Sequence, residues 1–167
     1  MLYWGYMISL RAAMKKVGEG RGGFTLVELM LVIAIIGILA TVGIFMLNIA
    51  RAKSRDAKRV SDIQIIRAAL ESYWLDQAAY PSAGTAIPLG TGVAGVLTQN
   101  GLEALPGTAT AYLQMPTGPL ANEFYQYQST VAGGYALRFT TEYLTAYGSA
   151  GTYYAHTNAV DTDSSSK

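Results

Sequence analysis

The chain has 167 residues, a formal net charge of +1 and no cysteine, which leaves room for one modest domain with an appendage. Beyond Arg67 only Arg138 and Lys167 are basic, against Glu71, Asp76, Glu103, Glu123, Glu142, Asp161 and Asp163, so a nucleic-acid partner, which needs clustered cations, is not expected. Without cysteine there is no disulfide framework, thiolate metal site or cysteine nucleophile.

Near the N-terminus, Gly18, Gly20 and Gly23 happen to fit G-x-G-x-x-G. A dinucleotide fingerprint needs a strand before it, a soluble helix after it and an acid about 20 residues on. Here an apolar run follows, and the next acid after Glu28 is Asp56. The stretch reads instead as an exposed loop open to an endoprotease.

From Phe24 to Leu47 the only strongly polar residue is Glu28, with Thr25 and Thr41 as mild exceptions. About 20 apolar residues suffice to cross roughly 30 Å of hydrocarbon. The run is too long for the ~7–15-residue core of a secretory signal, and Ile38-Leu39-Ala40 is a poor small-x-small cleavage site. A membrane helix retained in the mature protein is the expectation. A carboxylate one turn inside lipid is expensive and is read as functional by default, which a plain anchor does not explain.

The helix is expected to continue past the membrane. No proline occurs before Pro81, and residues 51–79 are rich in good helix formers. Ile63, Ile66, Leu70 and Tyr73 recur at helical spacing as a domain-packing face, widened by Trp74. A helix from Phe24 to about Ala79 is roughly 80 Å long. Residues 81–122 are glycine- and proline-rich and read as a loop region. "EFYQYQ" (123–128) and "YALRFTTE" (135–142) alternate and carry aromatics, predicting a β-hairpin, with "GTYYAH" (151–156) as a further strand. An antiparallel sheet over 123–160 packed on the helical stripe gives an α+β fold, with 161–167 as a flexible tail. Asp161 and Asp163 are read as part of that tail rather than as a metal site. No metal, cofactor or catalytic role is expected. His156 is the sole histidine, is paired by no motif with a serine nucleophile, and is read as structural or exposed.

Basic residues, Gly23, then Phe24-Thr25-Leu26-Val27-Glu28 and an apolar helix together resemble the prepilin signal of type IV pilins and type II secretion pseudopilins. The resemblance implies a pilin-like fold, a long N-terminal helix on a small antiparallel sheet. It also implies a leader, 1–23, removed by a prepilin peptidase between Gly23 and Phe24, with N-methylation of Phe24. The leader is long from Met1; a start at Met14 gives the short basic "MKKVGEGRGG". Residues 24–50 are then the transmembrane and assembly half of the helix, and 51–80 the amphipathic half. Glu28 is expected to meet the new α-amine of a neighbouring subunit. "ESYWLDQAAYP", "GLEALP" and "YLQMPTGPLANEFYQYQS" are similar to the pseudopilin G branch as far as about Ser129. The branch's Asp-Pro-x-Gly turn is here Pro116-Thr117-Gly118-Pro119, and its calcium loop has no clear counterpart.

Implied partners are copies of the chain, other pilin-like subunits, the prepilin peptidase, an inner-membrane assembly platform with its ATPase, and lipid before assembly. The implied location is single-pass in the inner membrane, then a periplasmic or extracellular filament. The alternative is a membrane-anchored monomeric binding domain with no filament role. Orientation carries a tension. Lys15, Lys16 and Arg21 precede the span, but Arg51, Lys53, Arg55, Lys58 and Arg59 follow it, whereas the positive-inside rule favours the richer flank in the cytoplasm.

Overall fold

The computed structural model describes residues 22–105, 107–129 and 133–164. The expectations for the leader up to Arg21, for the turn at 130–132 and for residues 165–167 lie outside the described residues. The chain divides between Ile44 and Phe45 into two units, which are taken in turn.

The first unit contains Gly22–Thr25, outside any helix, and the start of α1 (Leu26–Gln77, 52 residues). Every described residue here is exposed. The helix is long and apolar enough to cross a membrane, and none of that apolar window is buried. Within the first unit, the one hydroxyl inside α1 is satisfied locally, Thr41 Oγ1 donating to the Gly37 carbonyl at 2.9 Å, the usual way a threonine is accommodated in a helix interior.

The second unit begins with the rest of α1. The helix ends where Ala78 adopts a left-handed φ of 54° while its N–H still bonds the Trp74 carbonyl at 2.7 Å. Pro81 follows and cannot resume it. Ile63, Ile66, Leu70 and Tyr73 are buried in one cluster with Leu89, Leu97, Tyr125, Tyr127, Tyr135, Leu137, Phe139 and Tyr153. Each such burial contributes about 1.5–3 kcal/mol relative to exposure. Trp74 does not widen the stripe: it is 43% exposed, one residue and about 100° round the helix from Tyr73.

Residues 81–122 are not only loop. They hold β1 (Ile87–Pro88), β2 (Val96–Thr98), β3 (Gly101–Glu103) and β4 (Ala111–Gln114). A three-stranded antiparallel sheet, order β3-β2-β4, is built entirely within them. Glycine-rich composition masks strands of two to four residues, because what specifies them is partner pairing rather than length. The remaining strands are β5 (Gln126–Ser129), β6 (Tyr135–Thr141), β7 (Gly151–Ala155) and β8 (Val160–Asp161). With β1 they form a five-stranded antiparallel sheet in the order β1-β5-β6-β7-β8. Alternation sets its faces: Tyr127, Leu137, Phe139 and Tyr153 are buried while Arg138 and Thr140 are exposed. Strand β5 starts later than the aromatic run suggests, and Asp161 belongs to β8 rather than to the tail.

Candidate functional site

The residues singled out at the helix start lie together. Gly23 is exposed, and a methyl group added there meets nothing within 4 Å, so the fold itself does not require glycine. Phe24 is 91% exposed. Thr25 is the N-cap of α1. Its N–H and its hydroxyl both donate to Glu28 Oε2, at 2.8 and 2.9 Å, while Glu28 N–H donates back to Thr25 Oγ1 at 3.1 Å. This is a capping box, in which the two residues satisfy each other's orphan donors. Sequence reasoning stressed an intermolecular role for Glu28 and missed this capping box, although Thr-x-x-Glu ahead of an apolar run is its signal. The arrangement lowers the cost of carrying a carboxylate in an apolar segment. Among the described residues Glu28 Oε1 has no partner, so one oxygen stays open to an incoming donor.

A second polar centre, wholly within the folded unit, was not foreseen. Arg59 is 2% exposed. Its guanidinium grips Glu123 in a fork, Nε to Oε1 at 2.6 Å and Nη2 to Oε2 at 3.0 Å. Nη1 donates to Asp56 Oδ1 and to Glu142 Oε1, both at 2.7 Å. Asp56, also buried, accepts the backbone N–H of Glu142 at 2.9 and 3.0 Å and that of Tyr143 at 2.7 Å. Arg55 makes a second fork onto Glu142. Beside them Lys58 Nζ bonds Asp62 Oδ2 at 2.6 Å and the Thr117 carbonyl at 2.8 Å, and Tyr125 donates to the same Asp62 oxygen at 2.8 Å. The helix is thereby tied to the segment before β5 and to the end of β6 by charge-assisted bonds in a poorly hydrated place, where bidentate pairs are strongest. Gly118 matters to this centre, since a Cβ there would stand 2.5 Å from Glu123 Cγ.

The network accounts for three of the five cations behind the span. Arg55, Lys58 and Arg59 are held by carboxylates, whereas no described carboxylate bridges Arg51 or Lys53.

Burial alone would lower the Arg59 pKa, but the hydrogen bonds it donates to Glu123, Glu142 and Asp56 outweigh it and the net shift is upward. Glu142 moves the other way, from 4.5 to about 2, chiefly through its bond to Arg55. A carboxyl group depressed by folding stabilises the native state above its unfolded pKa and loses that contribution as pH falls through the folded one. Acid should therefore loosen the folded unit between pH 4.5 and about 2. Glu142→Gln should be less stable than the parent at neutral pH and flatter across that window, as circular dichroism during acid titration will show.

His156 is 1% exposed and structural. Its Nδ1 lies 3.1 Å from the Tyr135 carbonyl oxygen, and its Nε2 lies 3.2 Å from Asp161 Oδ1 and 2.9 Å from the Asp163 carbonyl oxygen. Asp161 and Asp163 are thus placed by hydrogen bonds, and Asp163 N–H donates to Asp161 Oδ1 at 2.8 Å. Among the described residues no group of three or more His, Asp or Glu is disposed to hold a metal ion.

Residues 20–44 match the family described as the prokaryotic N-terminal methylation motif. Over 127 residues the chain is 34% identical to a type II secretion system core protein G of Vibrio cholerae, covering 70% of this chain and 75% of that one. The protein of the same name from Escherichia coli is 32% identical over 127 residues, 69% of this chain and 77% of its own. The one from Pseudomonas aeruginosa is 40% identical over 100 residues, 59% of this chain and 54% of its own. Of the Aeromonas hydrophila and Pseudomonas relatives the chain spans about half the length. No solved structure matches the chain.

Proposed function

The chain belongs to the family of type II secretion system core protein G, and from that premise we propose that it is a structural subunit of a type IV filament, in a secretion pseudopilus or a pilus. It is stored in the inner membrane through the Phe24–Leu47 helix and later packed into a helical assembly whose core is that helix. The observation that carries the reading is the methylation motif over 20–44 overlapping the N-terminal stretch of α1, whose membrane-length apolar window is entirely uncovered. Such a surface needs lipid or like helices around it. Glu28 favours filament over plain anchor, since one of its oxygens is held by the capping box and the other is available to a neighbour's amine. No catalytic step is assigned. The partners are further copies, other pilin-like subunits, a prepilin peptidase that cuts between Gly23 and Phe24 and methylates Phe24, and the membrane platform with its ATPase.

Processing is the first test. Co-expression with a prepilin peptidase should yield protein beginning at a methylated Phe24, read by mass spectrometry of the N-terminal peptide. Because a Cβ added at Gly23 meets nothing within 4 Å, Gly23→Leu should abolish the cut while leaving the folded unit's melting unchanged. An intact Met1 or Met14 terminus beside active peptidase, or a cut after Ala40, would defeat the assignment.

A further inference from the structure

The loop between β6 and β7 carries an exposed apolar pair that the proposed function leaves unused. Tyr143 is 37% exposed and Leu144 74%. They are not on a slack segment. The N–H of Tyr143 is fixed to the buried Asp56 carboxylate, and a tight turn follows directly, Thr145 N–H donating to the Gly148 carbonyl at 2.9 Å. From Tyr143 to Val160 the sequence has no Asp, Glu, Lys or Arg, and its one histidine, His156, is buried. Glu142, just before, is occupied by Arg55 and Arg59.

The pair stands beside the start of the folded unit's helix. Lys53 Nζ lies 5.8 Å from the centroid of the Tyr143 ring. Along α1, Arg51 and Lys53 are roughly 6 and 9 Å beyond Leu47, the last residue of the apolar run. Tyrosine and leucine beside a lysine that no described carboxylate bridges, at the depth where hydrocarbon gives way to headgroups, is the composition of an interfacial contact.

We propose that Tyr143 and Leu144, with Lys53 beside the Tyr143 ring and Arg51 on the same turn of α1, form a lipid-seating surface that holds the folded unit on anionic headgroups. This rests on the membrane reading of Phe24–Leu47. The occupant is lipid rather than another subunit, because Lys53, which stands against the Tyr143 ring, is only about 9 Å along α1 from Leu47, the end of the apolar run. Arg51 and Lys53, on that turn of α1 and bridged by no described carboxylate, also match anionic headgroups. Charge attraction steers the unit down, and the apolar pair supplies the contact. Entry into a filament then requires the seat to be released, so the surface also regulates extraction from the membrane.

The chain has no cysteine, so single nitroxide labels report on it cleanly in the full-length protein. One label goes at Ala146→Cys, exposed in the same loop and leaving Tyr143 and Leu144 intact. A second goes at Ile36→Cys within the span. A third goes at Leu75→Cys, exposed and roughly 33 Å along α1 from Lys53. The protein is reconstituted at a few chains per vesicle, in phosphatidylcholine alone or with phosphatidylglycerol, and accessibility to oxygen and to a water-soluble nickel complex is measured by electron paramagnetic resonance. The label at position 36 should be dry and the label at 75 wet in both lipids. The label at 146 should shift toward headgroup depth only with phosphatidylglycerol, and return to water in high salt. Arg51→Gln with Lys53→Gln should reduce the seated-to-free ratio by up to about 30-fold at low ionic strength, and Tyr143→Ser with Leu144→Ser should abolish seating. If position 146 is as wet as 75 while 36 is dry, the seat is refuted and the membrane reading stands. If 36 is wet, both fall. Dipolar broadening at 146 that unlabelled chain dilutes away would make the occupant a second copy and overturn the lipid assignment, as would charge variants that seat normally.

Discussion

Arg59→Ala should destabilise the folded unit by about 3–5 kcal/mol, the usual cost of removing one partner from a buried ion pair and leaving the other charge behind. Three carboxylates lose a donor at once. Glu123 loses both members of its fork, and Asp56 and Glu142 lose the bond to Nη1. Glu142 retains Arg55, so the damage concentrates on Glu123 and Asp56. Adding Glu123→Gln should recover part of the loss, because the penalty is stranded charge rather than missing volume. Urea unfolding of the detergent-solubilised chain will give both numbers. A loss below about 1 kcal/mol, the range of a surface ion pair, would mean that the network is not buried as described.

Glu28→Gln and Glu28→Ala should insert and be processed normally, yet lower filament yield on the order of a hundredfold or more when supplied as the sole subunit. Cleavage before Phe24 creates an α-amine that is cationic near neutral pH. Away from water, losing the Glu28 carboxylate strands the charge of that amine at about 3–5 kcal/mol. The capping box makes the two substitutions informative beside a third. Glutamine preserves the box chemistry without the charge, while Thr25→Ala removes the box and keeps the charge, at about 1 kcal/mol of helix start. If the amine pair drives assembly, Thr25→Ala still makes filaments and Glu28→Gln does not. The reverse order would make Glu28 a helix cap and nothing more.

What the sequence disclosed follows the range of the interactions involved. The membrane run, the period of Ile63, Ile66, Leu70 and Tyr73, and the strands around Tyr127, Leu137 and Tyr153 are local patterns, and an α+β chain with antiparallel sheets is what they build. The Arg59 centre was hidden because Glu123 and Glu142 lie 64 and 83 residues away. Its one local trace is that Asp56 and Arg59 continue the same i, i+3, i+4 stripe as Ile63 and Ile66. Charge on a core-facing stripe signals pairing from elsewhere in the chain. The three-stranded sheet at 96–114 was hidden for a related reason, since strands of three and four residues show no period of their own. Glu28 was read incompletely, because a partner three residues away was overlooked in favour of a distant one.

The most direct measurement is immunogold electron microscopy of cells expressing this chain with a prepilin peptidase, an assembly platform and its ATPase, using antibody raised against the folded unit. Filaments decorated along their whole length, absent when Gly23→Leu replaces the parent chain, are the predicted result. Processed chain confined to the membrane fraction, with no decorated filament in the presence of working machinery, would contradict the filament assignment and leave the anchored monomer in its place.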